Sequence, residues 1–99
     1  MDLKKIAENY PKAYGRQITW RALKSNPFGG ERELFDFFDE YEIWVEVSAT
    51  SINEWSYDIF KLTENTFTHI ASSAYMYLSR TEAEEAAFEK AFEILEERL

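Results

Sequence analysis

The spacing of apolar residues changes twice along this 99-residue chain, dividing it into helical ends around a strand-forming middle. Leu3, Ile6, Ala7 and Tyr10 recur at i, i+3, i+4 and i+7, which lines one face of a helix. Pro11 either ends that helix or opens a second at its first position, where a missing N–H is harmless. Tyr14, Ile18 and Ala22 continue at four-residue spacing, flanked by Trp20 and Leu23. Gly15 weakens this second helix by about 1 kcal/mol relative to alanine. Residues 25–30, SNPFGG, read as a loop, and residues 31–41, ERELFDFFDEY, as a short helix with Leu34, Phe35 and Phe38 on one side.

From Glu42 the period becomes two. Ile43, Val45 and Val47 alternate with Glu42, Glu46 and Ser48, a half-buried strand in which Trp44 falls on the polar side. Residues 53–62 form the next strand, with Trp55, Tyr57 and Ile59 opposite Ser56, Asp58, Phe60 and Leu62. Thr63, Glu64 and Asn65 make a tight connection into residues 66–71, so these two strands form a hairpin. Ser72 and Ser73 mark a bulge, a bend or a loop. Residues 74–78 alternate again, with Tyr75 and Tyr77 opposite Ala74, Met76 and Leu78, either extending the third strand or forming a fourth.

The last element is a helix over residues 80–98. Ser79 or Thr81 caps it, and Thr81 to Glu84 fits a capping box. Ala87, Phe88, Ala91, Phe92, Leu95 and Leu99 form its apolar stripe, and Glu82, Glu85, Glu89, Glu93 and Glu96 its solvated face. The fold class that follows is α+β, in one domain spanning residues 1–99. A basic helical head (1–24) and a short helix (31–41) precede a three- to four-stranded antiparallel meander sheet (42–78) and the long C-terminal amphipathic helix. That helix covers one sheet face. The head helices are expected to cover the other, giving a helix–sheet–helix sandwich.

Charge is sorted along the chain as well. Residues 1–30 carry six basic and two acidic side chains, and residues 31–99 carry five basic and 17 acidic ones. A head of net +4 thus precedes a body of net −12, which points to an electrostatic partner or to the head docking on the body. The acidic body disfavours nucleic-acid binding, because neutralising phosphates needs clustered lysine and arginine. With no cysteine there is neither a disulfide framework nor a thiolate metal site. The N-terminal MDLKKIAENY lacks the apolar run of a signal peptide, and no stretch approaches the ~20 apolar residues of a membrane span. The expectation is a soluble, cytoplasmic protein that does not engage membranes.

The tail SRTEAEEAAFEKAFEILEERL is similar to the closing segment of small uncharacterised proteins of Bacteroidetes bacteria and their prophages. It also resembles the last helix of double-stranded RNA-binding domains, as does the α-β-β-β-α order. That family uses a lysine-rich helix start on phosphates, where this chain has Thr81, Glu82, Glu84 and Glu85. The resemblance therefore implies a topology and none of the RNA-contacting residues.

No catalytic, cofactor-binding or metal-ligating set emerges from the residues. His69 is the one histidine, placed opposite Phe60 by a two-residue turn and near Asp58 only diagonally, which reads as a packing or surface residue. Asp36, Asp39, Glu40 and Glu42 lack the glycine and alternating ligands of a calcium loop and read as a solvated face. Gly29-Gly30 has no phosphate-loop context. Two constellations remain. Trp44, Trp55, Tyr57, Tyr75 and Tyr77 are a candidate interaction surface, and Lys5, Lys12 and Arg16 a candidate basic face if the head helix runs through Pro11. The reading is a non-enzymatic interaction or accessory protein, of phage or mobile-element origin, that binds a protein partner or itself. Alternatives are an acidic nucleic-acid mimic that inhibits a DNA- or RNA-binding protein, and weak double-stranded RNA binding through the basic head.

Overall fold

The Asp2 carboxylate accepts the N–H groups of Lys4 (3.1 Å) and Lys5 (3.2 Å), and this cap opens helix α1, Leu3–Asn9. The structure is a computed structural model and describes residues 2–24, 32–74 and 76–99. Pro11 then begins α2, Pro11–Lys24. Tyr10 leaves the helical region (φ −131°, ψ 61°), so α1 and α2 are two helices that meet at this residue. Tyr10 N–H still reaches the Ile6 carbonyl (2.8 Å) and Tyr14 N–H the Tyr10 carbonyl (2.9 Å). Pro11 has no N–H to give, and the N–H groups of Lys12 and Ala13 turn to a side chain of the C-terminal helix.

Helix α3, Glu33–Glu40, is followed by the strands β1 (Ile43–Ser51), β2 (Glu54–Thr63) and β3 (Thr66–Ser72), then by α4 (Arg80–Arg98). The strands form an antiparallel sheet in the order β1-β2-β3. The α+β class and the α-β-β-β-α order read from the sequence are those of the structure. Glu64 (φ 46°) and Asn65 (φ 70°) make the β2–β3 turn with both central residues left-handed, the form that matches strand twist in two-residue hairpins.

Among the described residues, Ala74, Met76, Tyr77 and Leu78 add no fourth strand to the sheet. After Ser73 N–H donates to the Tyr57 carbonyl, the chain leaves β2, then returns for one bridge in which Trp55 and Tyr77 exchange N–H···O bonds of 2.8 and 2.7 Å. Ser79 is the α4 cap, its Oγ accepting Glu82 N–H at 3.2 Å, so the helix starts two residues earlier than the Thr81–Glu84 pairing places it.

One core serves the whole molecule. Ile43, Val45, Tyr57 and Ile59 project from one sheet face onto Ala87, Phe88, Ala91, Phe92 and Leu95 of α4, joined by Phe37 and Phe38 of α3 and by Ile6 and Ala13 of the head. Edge-to-face ring pairs tie α3 to α4, Phe35–Phe88 at 4.8 Å and Phe38–Phe92 at 5.0 Å. The small residues of α4 let its axis come close to the sheet while the Phe rings fill the gaps to either side. Leu99, placed on that stripe by spacing, is exposed.

The head helices lie on this same side, against α4, with Trp20 meeting Phe37 edge-on at 5.7 Å. The expected sandwich is therefore not formed. Among the described residues the molecule has two layers, helices on one face of the sheet and no helix on the other. The inner face of α2 also differs from the spacing of Tyr14, Ile18 and Ala22. Ala13 and Gln17 are buried, whereas Ile18 is 43% and Leu23 79% exposed. Tyr14 and Trp20 pack against the core beside them, so of the larger apolar residues of α2 it is Ile18 and Leu23 that face outward. The loop read over residues 25–30 lies outside the described residues.

Candidate interaction surfaces

Alternation along the strands sends Trp44, Glu46 and Ser48 of β1, Asp58, Phe60 and Leu62 of β2, and Phe67 and His69 of β3 to the face opposite the helices. Their rings make a continuous patch. Trp44 meets Phe67 edge-on at 5.5 Å, Phe67 meets Phe60 at 6.1 Å, and Phe60 meets His69 at 5.3 Å. Phe67 is 52% exposed, and Trp44, Phe60 and Leu62 are half-buried. None of these four belongs to the core cluster.

At the patch edge His69 Nε2 lies 3.0 Å from Asp58 Oδ1. Plain hairpin register leaves these residues diagonal. They stay diagonal in the structure, since Phe60 pairs with His69 as plain register has it and the bulge at Ile70 comes one step further on, where Ile59 pairs with Ala71. Diagonal neighbours on one face are within reach of long side chains. Both side chains are broadly exposed, at 49% and 41%, and among the described residues no hydroxyl is hydrogen-bonded to His69. In water such a pair contributes about 0–1 kcal/mol and acts as a polar border to the patch.

The five aromatics of the candidate surface do not share a face. Trp44 is on the uncovered side. Trp55 and Tyr57 point toward the helices, with Tyr57 buried and stacked on Tyr77 at 6.3 Å. Tyr75 lies outside the described residues. Spacing does identify the alternative set, because Phe60, Leu62, Phe67 and His69 sit at period two on the same side as Trp44. What spacing does not supply is the side of the sheet on which the head helices dock, and that placement alone leaves this set uncovered.

The basic face is divided too. Lys12 and Arg16 are on α2, while Lys5 is on α1, on the other side of Tyr10, and lines a cleft with Glu82, Glu85 and Glu89. Head and body nevertheless meet through charge. Glu96 Oε1 accepts Ala13 N–H at 2.8 Å, and Arg21 Nε pairs with Glu33 at 3.1 Å. In the acidic cluster of α3, burial raises the Asp39 pKa first, the Asp36 carboxylate adds to the rise, and Arg32 opposes it. Among the described residues no group of three or more His, Asp or Glu side chains converges as a metal site, and no helix is long and apolar enough to cross a membrane.

Comparison with protein-family models, with curated proteins and with solved structures finds no match.

Proposed function

We propose that this chain is a non-enzymatic interaction module that associates with a second copy of itself through the uncovered sheet face. The observation that carries this reading is the contiguous Trp44–Phe67–Phe60 patch on a face without a helix. Contiguous exposed apolar surface of this kind marks an association site more often than scattered single residues do.

Charge decides which face a second copy would use. Two chains of net −8 repel, and the contact of least repulsion is the one poorest in carboxylates. The paired stretches of the uncovered face carry Glu46, Glu54 and Asp58, the last against His69, whereas α4 alone carries seven glutamates. Three strands about 4.8 Å apart and some 20–25 Å long offer a projected face of roughly 300–350 Å² per copy. That is less than half of the roughly 800 Å² per partner of standard complexes and below what a stable interface needs, so the dimer expected is weak and transient.

Phe67→Ser tests the reading. Its ring is half-exposed and outside the core, so the circular dichroism spectrum and melting should stay close to the parent while the dimer dissociates. A variant that keeps its fold and associates as before removes the sheet face from consideration.

A further inference from the structure

Glu82, Glu85, Glu89 and Glu93 fall at intervals of three and four along α4, which places them on one side of the helix. That side is not simply solvated. It forms the wall of a groove whose floor is Ile6, Ala86, Tyr10, Tyr57 and Tyr77, in two adjoining cavities of about 510 and 300 Å³ that share Tyr77, Ala86 and Glu89. Among the described residues the cations lining the groove are Lys5 and Lys90, and Lys90 is held by Glu93 at 3.3 Å. The carboxylates of Glu82 and Glu89 have no ion pair among the described residues, although Glu89 is half-buried. Tyr10 registers the same excess of negative charge. Burial raises the pKa of its hydroxyl first, and the Glu89 and Glu93 carboxylates raise it further.

We propose that this tyrosine-floored acidic groove between α1 and α4 seats a lysine-bearing segment of a partner protein. Charge complementarity selects the occupant. Carboxylates spread along a groove, rather than converging on a point, match cations spaced along a chain. Lysine stems lie on apolar and aromatic floor while their ammonium groups reach the carboxylate wall, and tyrosine ring faces attract the same cations. A phosphate-bearing or acidic ligand meets the wrong sign along the whole wall. The groove is on the helical side of the molecule, so the proposal stands or falls separately from self-association through the sheet face.

The test is fluorescence anisotropy of a labelled hexalysine peptide with the full chain at low salt. Glu82→Gln/Glu89→Gln should weaken binding about tenfold, as loss of close charge pairs does. Glu64→Gln/Glu97→Gln removes the same charge from exposed positions outside the groove and should change it less than about twofold. Equal weakening by both pairs, or no hexalysine binding to the parent, overturns the proposal. Spermine binding as tightly as hexalysine also overturns it, in favour of a small polyamine. The single exposed change Glu82→Gln keeps the comparison valid should the double variant melt early.

Discussion

The backbone N–H of Ala13 donates to the Glu96 carboxylate at 2.8 Å, joining residues 83 apart in sequence. Lys12 N–H reaches the other oxygen of the same carboxylate at 3.4 Å. A glutamate from the last turns of α4 thus does for α2 what a local cap residue usually does. It meets N–H groups at the positive end of the helix dipole, next to a proline that rules out ordinary continuation from α1. This contact joins the basic head to the acidic body by a carboxylate on backbone, beside the side-chain pair of Arg21 with Glu33.

Loss of a helix cap costs about 0.5–2 kcal/mol, so Glu96→Ala should lower stability by that amount in urea denaturation. Glu96→Gln keeps an acceptor oxygen and should lose less. If both variants match the parent, the contact is incidental to docking.

Ser79 and Thr81 offer a second comparison. Ser79→Ala removes the α4 cap and should cost about 1 kcal/mol, whereas Thr81→Ala, within the helix, should be neutral or slightly stabilising. Chemical denaturation of both variants reads the difference, and the reverse order would place the helix start two residues later.

Asp39 predicts a pH dependence. A carboxyl whose pKa is raised in the folded state holds its proton more tightly there than in the unfolded chain, so its ionisation lowers stability as pH rises from the ordinary value of 3.8 upward through the folded value. Asp39→Asn should therefore melt higher than the parent at pH 7, and the gain should vanish below the ordinary carboxylate range. Thermal melts at both pH values check the sign. A variant that melts lower at pH 7 would mean that attraction to Arg32 outweighs burial and Asp36.

The β2–β3 turn holds Glu64 and Asn65 at positive φ, where a side chain costs about 1–2 kcal/mol relative to glycine. Combining Glu64→Asn with Asn65→Gly installs the asparagine–glycine pair that such turns prefer, and should raise stability by about 0.5–1 kcal/mol. Slower hydrogen exchange at Phe67 and Thr68 should accompany the gain. An unchanged melt would mean that the native pair adopts the turn without strain.

Much of this fold is legible in the sequence because it is dictated locally. Period-two alternation around Ile43, Val45 and Val47 and the Phe/Ala stripe of α4 specify faces without knowledge of neighbours. The inner face of α2 is not legible that way. Ala13 is buried where Glu96 meets the helix start, a relation between residues 83 apart, and of the set Tyr14, Ile18 and Ala22 only Tyr14 packs on the core. The same limit explains the uncovered sheet face, since the placement of the head depends on that docking and not on its own amphipathic spacing. Alternation puts His69 and Asp58 diagonally on one face, and what it does not foretell is that their side chains close the gap to 3.0 Å.

Sedimentation equilibrium of the parent chain across a concentration series, at low and high salt, tests the central claim most directly. An apolar contact through Trp44, Phe60 and Phe67 predicts a mass that rises from monomer toward dimer with concentration, no more weakly at high salt because screening relieves the repulsion between two acidic chains. A monomer at every concentration and both salt levels would contradict it, as would a dimer that dissociates when salt is added.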